Sequence, residues 1–533
     1  MKFKSIYLLL IAFITLVVAS CKKELANVNT NPNKVLGDKF DPNLLLTTVQ
    51  LMYSGPLNFG GSQWETKWGG VACFIQHTAS TNTGFYYGDK YLNSVGLMGE
   101  MFQDSYTSDV QPVVELYTLT LNKPQYKNLH QMSRIMKAMV FQQITDLYGD
   151  IPYSQAGQGY FTRNFTPVYD KQQDIYTDLL KEVSQATDSL DVNADKPTGD
   201  ILYSQSGDQI NKWKKFGNSL LLRMAMRLTK VDPATAQKYV AQVVGKTMES
   251  NDDNAIVQHQ GGLQLTANRD AVEIFGGDST DFRLSKTYVD NMKTNSDPRL
   301  PVVAWIYTTT TDDNDNVTVN TDNTPEKQLG MPSGYILGGN NPALDITKLG
   351  PTLYNDTLGI HGYSTINANL LNTAAPDLIL TYAETEFLLA DAANRWGIGG
   401  DAATHYNNGV LAALAQLSAY GDGATIDDGD AQTYLGNVAY AGNNAAGLAQ
   451  INTQYWLCTL MDEYEAYANW RRSGDLPKLT PVNYPGNVTG GTIPRRLNYP
   501  QNQKITNLTN YNAAVARLSG GDKITSRIWW DSQ

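Results

Sequence analysis

Tyr382-Ala383-Glu384-Thr385-Glu386-Phe387-Leu388-Leu389-Ala390-Asp391-Ala392-Ala393, followed by Gly397, Gly399 and Gly400 and then Asp401, Ala402, Tyr406 and Gly409, is the stretch that decides the fold. Apolar residues recur at three and four, which marks an amphipathic helix. The spacing predicts that this helix begins after Pro376 and runs through Leu380, Phe387, Leu388 and Ala393. Three glycines make the turn, and a second helix starts near Asp401. Ala390 and Ala402 are small, and an aromatic residue follows the latter by four. Small side chains there let two helices cross closely, the device of tetratricopeptide-type hairpins.

Working outward, the same period returns. Asp41-Pro42 opens a helix through Leu44, Leu45, Val49 and Met52. Leu129 to Leu147 is helical, with Gly149 as its stop and Pro152 as a block to its return. Pro167 starts another helix with Ile175, Leu179, Leu180 and Val183 on one face. Trp213 to Lys230 is amphipathic, and Asp232-Pro233 turns it into a partner through Tyr239 and Val243. A last long helix is expected from Ile451 to Arg472, ended by Gly474. Several hairpins in one chain predict a mainly α fold, an α-α superhelix on a tetratricopeptide-like scaffold with long irregular loops and a few short strands. Residues 255–375 are rich in Gly, Asn, Asp, Thr and Pro and read as an irregular insert. Within it, Val302 to Tyr307 is a short apolar run, and Thr308 to Glu326 an exposed loop or hairpin. Residues 421–450 read as loops.

The N-terminus addresses the chain. Lys2 and Lys4 precede the apolar run Ile6–Val18, which is shorter than the roughly 20 residues a membrane span takes. It has signal-peptide length. Val18-Ala19-Ser20-Cys21 fits a lipobox, so residues 1–20 are expected to be removed and Cys21 to carry lipid, a diacylglycerol or palmitate-type anchor. Residues 21–40 read as a polar tether and 41–533 as a single domain. Loss of Lys2 and Lys4 takes the net charge from −11 to −13. An acidic chain with no basic block is a poor match to nucleic acid. Cys73 and Cys458 are expected to be buried thiols, with a bridge between them left open.

Catalytic motifs do not assemble. No two of His77, His130, His259, His361 and His405 frame a zinc-protease helix, and no Gly-x-Ser-x-Gly elbow occurs. Gly245-Lys246-Thr247 lacks the earlier phosphate-loop glycine, because Val240 stands there. Asp312-Asp313-Asn314-Asp315-Asn316 has oxygen ligands for calcium but no sharp-turn glycine, and reads as a solvated turn. Glu384 and Glu386 are two apart and do not share a helix face. No metal or cofactor is expected from these residues. Aromatic residues are abundant, with 31 Tyr, 9 Trp and 14 Phe. Trp64 and Trp68 stand four apart between Gly60-Gly61 and Gly69-Gly70, and would share one helix face. Phe85-Tyr86-Tyr87 lies in a Gly- and Thr-rich loop, and Trp305 and Tyr335 lie in the insert. Flat rings stack on sugar faces while Asn, Asp and Arg take hydroxyls, so Trp64, Trp68, Tyr86, Trp305 and Tyr335 are the candidate ligand residues. The competing reading is that these rings pack the core.

Longer strings carry a family likeness. They are Asn29-Thr30-Asn31-Pro32-Asn33 behind the lipobox, Ile144-Thr145-Asp146-Leu147-Tyr148-Gly149-Asp150-Ile151-Pro152-Tyr153-Ser154, and Lys214 to Ala225. Tyr382 to Ala393, Glu465-Ala466-Tyr467-Ala468-Asn469-Trp470-Arg471-Arg472-Ser473-Gly474, Pro494 to Pro500, and Gly520-Gly521-Asp522 to Trp529-Trp530-Asp531 complete the set. Across essentially its whole length the chain resembles the SusD/RagB family of Bacteroidetes outer-membrane lipoproteins. The resemblance implies four tetratricopeptide-like hairpins with irregular loops forming the ligand site. It implies a cell-surface protein acting as a lid on a SusC-like TonB-dependent transporter, handing it oligosaccharide or, in some members, peptide, without catalysis. Some members hold calcium, which the resemblance does not place here, and it carries over no ligand residue. An anchored glycan hydrolase is the alternative.

Overall fold

The computed structural model describes residues 40–532 except 56–61, 83, 85–86, 93–94, 263–264, 277–281 and 312–316. The expected signal peptide, Cys21, nearly all of the expected tether, Tyr86 and the acidic run 312–316 therefore lie outside the described residues. From Asn43 onward the chain is one compact unit. No helix among the described residues is long and apolar enough to cross a membrane.

The helices used below are α1 Asn43–Ser54, α2 Val95–Asp104, α3 Gln111–Thr120, α4 Lys127–Tyr148, α5 Gln172–Ser189, α6 Gln209–Met226, α7 Pro233–Val243, α8 Tyr382–Trp396, α9 Ala402–Ala415, α10 Ala445–Cys458 and α11 Glu463–Ser473. Four antiparallel hairpins form the scaffold: α4 with α5, α6 with α7, α8 with α9, and α10 with α11. They stack through α5 on α6, α6 on α8 and α8 on α10, and α11 returns to α4.

The α8–α9 hairpin shows how the sequence specifies this. Thr381 caps α8 by accepting from the Glu384 amide, and Asp401 caps α9 by accepting from that of Thr404. Gly397 ends α8 in the left-handed region at φ 66°. Gly409 is the close-approach residue, since a Cβ there would stand 2.6 Å from the Phe387 ring. Ala390 and Ala402 are buried.

The strands are short: β1 Thr78–Ser80, β2 Ile151–Pro152, β3 Tyr169–Asp170, β4 Ala255–Val257, β5 Phe282–Leu284, β6 Ala304–Thr311, β7 Val317–Asp322, β8 Thr365–Ile366 and β9 Asp377–Leu380. They explain two of three departures from the periodicity, and a helix break is the third. Leu380 is in β9, paired with Ala255 of β4, so α8 starts only at its Thr381 cap. Pro167 leads into β3, which pairs with β2, and α5 begins at Gln172, whose amide donates to Asp150. The long helix expected over Ile451–Arg472 is two helices. Met461 adopts φ 86°, and Asp462 caps a fresh start by accepting from the Glu465 amide. Residues 255–375 also hold more helix than expected, Arg269–Gly276 and Lys286–Thr294, and 421–450 contain Asp428–Asn437. Thr308 to Glu326 forms a hairpin in its described part, with β6 and β7 paired from Ile306↔Asp322 to Thr311↔Val317.

The family-like strings converge on one buried ionic cluster. Arg227 of the α6 end bonds Asp146 of α4 at 3.1 Å and Glu465 of α11, while Arg223 bonds Glu384 of α8 and stands 3.5 Å from Glu465. Trp530 Nε1 donates to Asp146 at 2.8 Å, and the Arg471 guanidinium lies 4.8 Å from the Trp530 ring centre. All four hairpins and the C-terminal segment are thus pinned together by charges that cannot be solvated. Arg471 and Arg472 are themselves buried, with Arg472 paired to Asp391 at 3.1 Å.

Candidate functional site

The insert is carried by its own small apolar cluster of Ala79, Met331, Ile346, Tyr354 and Tyr363, separate from the main helical core. Above it, β6 pairs with β8 at Ala304↔Ile366 and Trp305↔Thr365. Side chains alternate along a strand, so Trp305 and Tyr307 share one face and Ile306 and Thr308 the other. His361 stands edge-on to the Tyr307 ring at 5.5 Å, and the Arg283 guanidinium lies 5.9 Å from the same ring centre. Arg283 belongs to β5, opposite Ala79 of β1. One strand from outside the insert, β1, therefore pairs with the insert strand whose Arg283 reaches Tyr307.

The Trp305 and His361 rings are half-buried. Among the described residues the Trp305 Nε1 donor and the His361 Nδ1 have no hydrogen-bond partner. Both atoms are shielded in this conformation, and a buried donor without an acceptor costs about 1–3 kcal/mol, which a ligand carbonyl or hydroxyl would recover only where the face opens to admit it. Burial and then the Arg283 charge lower the His361 pKa below its ordinary 6.5. The imidazole is therefore neutral at neutral pH, able to donate from one nitrogen and accept at the other, as hydroxyl recognition needs. On the opposite face of the β6–β7 hairpin is a groove of about 530 Å³ lined by Ile306, Thr308, Asn320, Asp322, Lys327 and Asn355. That volume lies within the ~300–1,000 Å³ of small-molecule sites.

Of the five aromatic candidates, Trp305 stands on this face, and Tyr335 packs half-buried against the insert's own cluster. Trp64 and Trp68 are elsewhere, on a ten-residue π-helix, Ser62–Val71, laid on the main core. Trp64 is half-buried there. Trp68 is fully buried, and its Nε1 donates to Asp270 at 2.9 Å, so its ring offers no face to a ligand in this conformation. The competing core reading accounts for that residue: Asp270, also bonded by Lys67 at 2.5 Å, draws the indole inward. Tyr307, His361 and Arg283 were not singled out from the sequence. The alternation Trp305-x-Tyr307 was the one available signal for them; His361 and Arg283 reach the face only through long-range pairing.

Two acids with raised pKa values lie elsewhere. Burial pushes Glu384 up to about 8 and Asp462 up to about 7, against the pull of Arg223. Both line an internal cavity of about 70 Å³ with Tyr53, Lys67 and Tyr464. This is several-fold below the ~300 Å³ at which ligand pockets begin. Among the described residues no three His, Cys, Asp or Glu side chains are grouped to hold a metal ion. Cys73 and Cys458 are free thiols. Cys73 is buried as expected and its pKa is pushed up to about 12, whereas Cys458 is partly exposed.

A SusD-like family profile, described as starch-binding and associating with the outer membrane, matches residues 46–500. No curated protein matches the chain. Among solved structures, a chitin-binding protein is 32% identical with a TM-score of 0.77, covering 92% of this chain and 100% of its own. A SusD-like protein of Bacteroidetes AC2a is 25% identical with a TM-score of 0.79, covering 93% of this chain and 100% of its own. A chitin-binding SusD homologue from Flavobacterium johnsoniae shares the fold at 22% identity and a TM-score of 0.70, covering 92% of this chain and 98% of its own.

Proposed function

Starting from membership of the SusD-like family, to which this chain belongs, we propose that it is a cell-surface lipoprotein that captures an oligosaccharide and delivers it to a SusC-like TonB-dependent transporter, without acting as an enzyme. In this reading Cys21 carries the lipid that holds the chain on the outer membrane, facing outward.

The observation that carries the proposal is the Trp305–Tyr307 face. It joins two aromatic rings on one side of a strand to an indole N–H without an acceptor among the described residues and a neutral imidazole. A sugar ring stacks on the aromatic surface while its carbonyl or hydroxyl groups take the polar atoms. A chitin oligosaccharide is the first ligand to try, because the 32%-identical structure is of a chitin-binding protein and an acetamido carbonyl suits the Trp305 donor. The internal cavity holding Glu384 and Asp462 is too small for an oligosaccharide, which favours capture over hydrolysis.

Isothermal titration against chitin oligosaccharides, malto-oligosaccharides and a peptide panel tests this. Trp305→Ala is expected to weaken glycan binding by about 1–3 kcal/mol, by analogy with aromatic stacking on planar rings. Binding of peptides alone would replace the glycan reading. Release of shorter sugars during incubation would replace the binding-protein reading. The groove on the other side of the hairpin is a second candidate, and Asn355→Ala would weaken binding there while sparing the Trp305 face.

A further inference from the structure

The three most exposed large apolar side chains among the described residues are Ile505 (85%), Tyr160 (80%) and Phe165 (77%). They come from two segments far apart in sequence, and Phe161, Val168 and Leu508 in the same segments are exposed too. Hydrogen bonds hold the segments side by side. Asn507 Nδ2 donates to the Pro167 carbonyl at 2.8 Å, Asn510 Nδ2 to that of Thr166 at 3.0 Å, and the Tyr169 hydroxyl to Gln503 at 2.9 Å. The six side chains therefore form one surface. It is also poor in charge, since Arg163 and Lys504 are the only charged residues in 157–168 and 500–512. Exposed apolar surface of this kind is avoided unless something covers it.

A second observation says what covers it. Asn502, at the edge of the surface, donates to Gln103 at 2.7 Å. Gln103 sits on α2 between Glu100 and Asp104, whose carboxyls are neighbours of Glu65. Burial first, and then the charges of Glu100 and Asp104, push Glu65 up to about 7. Gln103 donates to Glu100 at 3.1 Å and the Ser62 amide to Asp104 at 2.9 Å, but no Lys or Arg pairs with any of the three acids among the described residues. The apolar surface is thus bordered by uncompensated negative charge. An anionic lipid surface would be repelled at that border. A protein that presents apolar side chains edged by lysine or arginine would be attracted, and charge depletion at the centre is the composition of a protein interface core.

We propose that the surface formed by Tyr160, Phe161, Phe165, Val168, Ile505 and Leu508, with Glu65, Glu100 and Asp104 at its border, is where this chain docks on its transporter. The inference rests on the transporter partnership proposed above. It requires the facing transporter surface to be apolar with a basic edge.

The test is co-purification of the chain as processed in its own cell with a tagged SusC-like TonB-dependent transporter of the same organism, extracted together from outer membranes. Phe165→Ser/Ile505→Ser is expected to lower recovery at least 10-fold, and Glu100→Lys at least 3-fold. Both variants should keep the wild-type thermal midpoint and oligosaccharide affinity, since none of the three residues is in the core or on the Trp305 face. Recovery of the double variant at the wild-type level overturns the docking surface while leaving the partnership standing. If the wild-type chain itself is not recovered with the transporter, the partnership falls and this inference with it. A third arm uses unlipidated full-length chain, made with Cys21→Ala, and phosphatidylglycerol vesicles. Flotation of the otherwise wild-type chain but not of the double variant would make the surface a lipid-binding one and overturn protein docking.

Discussion

Replacing Arg227 with methionine tests the claim that a buried ionic cluster pins the four hairpins together. Arg227 is fully buried and bonds Asp146 on α4 and Glu465 on α11. Methionine fills much of the volume and removes the charge, which leaves two buried carboxyls short of their cation. Asp146 keeps the Tyr176 hydroxyl and the Trp530 indole as donors, and Glu465 keeps Arg223 at 3.5 Å and the Tyr455 hydroxyl at 2.7 Å. Breaking one buried pair costs about 3–5 kcal/mol. The remaining donors place the expected loss toward the lower end, about 3 kcal/mol at pH 7. The pH dependence follows from Glu465. Burial alone would raise its pKa, but Arg227 and Arg223 outweigh that and hold it below the ordinary 4.5. A carboxyl depressed on folding adds stability above its unfolded pKa, and that stability is lost as pH falls through the folded value. Without Arg227 the depression goes, so the gap between variant and wild type should narrow on acidification from pH 7 toward 4. Urea unfolding followed by circular dichroism at several pH values measures both quantities. A variant within about 1 kcal/mol of wild type at pH 7, or a gap that widens on acidification, would refute the role assigned to the cluster.

Two further outcomes are expected. Gly409→Leu would drive a side chain into the Phe387 ring at the α8–α9 crossing, and overpacking of this kind costs about 1–3 kcal/mol, readable in the same unfolding assay; an unchanged midpoint would show that the crossing relaxes freely. His405 is pulled down by burial, but its hydrogen bonds to Glu386 at 2.9 Å and to the Gly399 carbonyl, with the charges of Glu386 and Asp401, together outweigh this and raise its pKa above 6.5. Its contribution is complete below the unfolded pKa and is lost as pH rises through the folded one. Wild-type stability should therefore show a decline above pH 6.5 that His405→Gln removes, and an identical pH profile for the two proteins would exclude it.

The helical period and the caps are local properties, and for that reason the sequence by itself determined the scaffold, whereas Gly409 acts only through the Phe387 ring opposite. Asp401 and Gly397 each act on the residues next to them, so their effect can be read without knowing what lies opposite, whereas the Thr381 start of α8 follows from the pairing of Leu380 with Ala255. The lipid-anchor expectation for Lys2, Lys4, Ile6–Val18 and Cys21 also rests on order alone, and it lies outside the described residues. What only the tertiary structure decided is whatever depends on a partner distant in the chain. Leu380 was drawn into a strand by residue 255. Trp68 was turned inward by Asp270, and the periodicity that put it beside Trp64 carried no trace of that acid. The face around Trp305 needed β5 and the turn at 361 to arrive from elsewhere, because hydrogen-bond pairing and charge pairing act through space while propensity acts along the backbone.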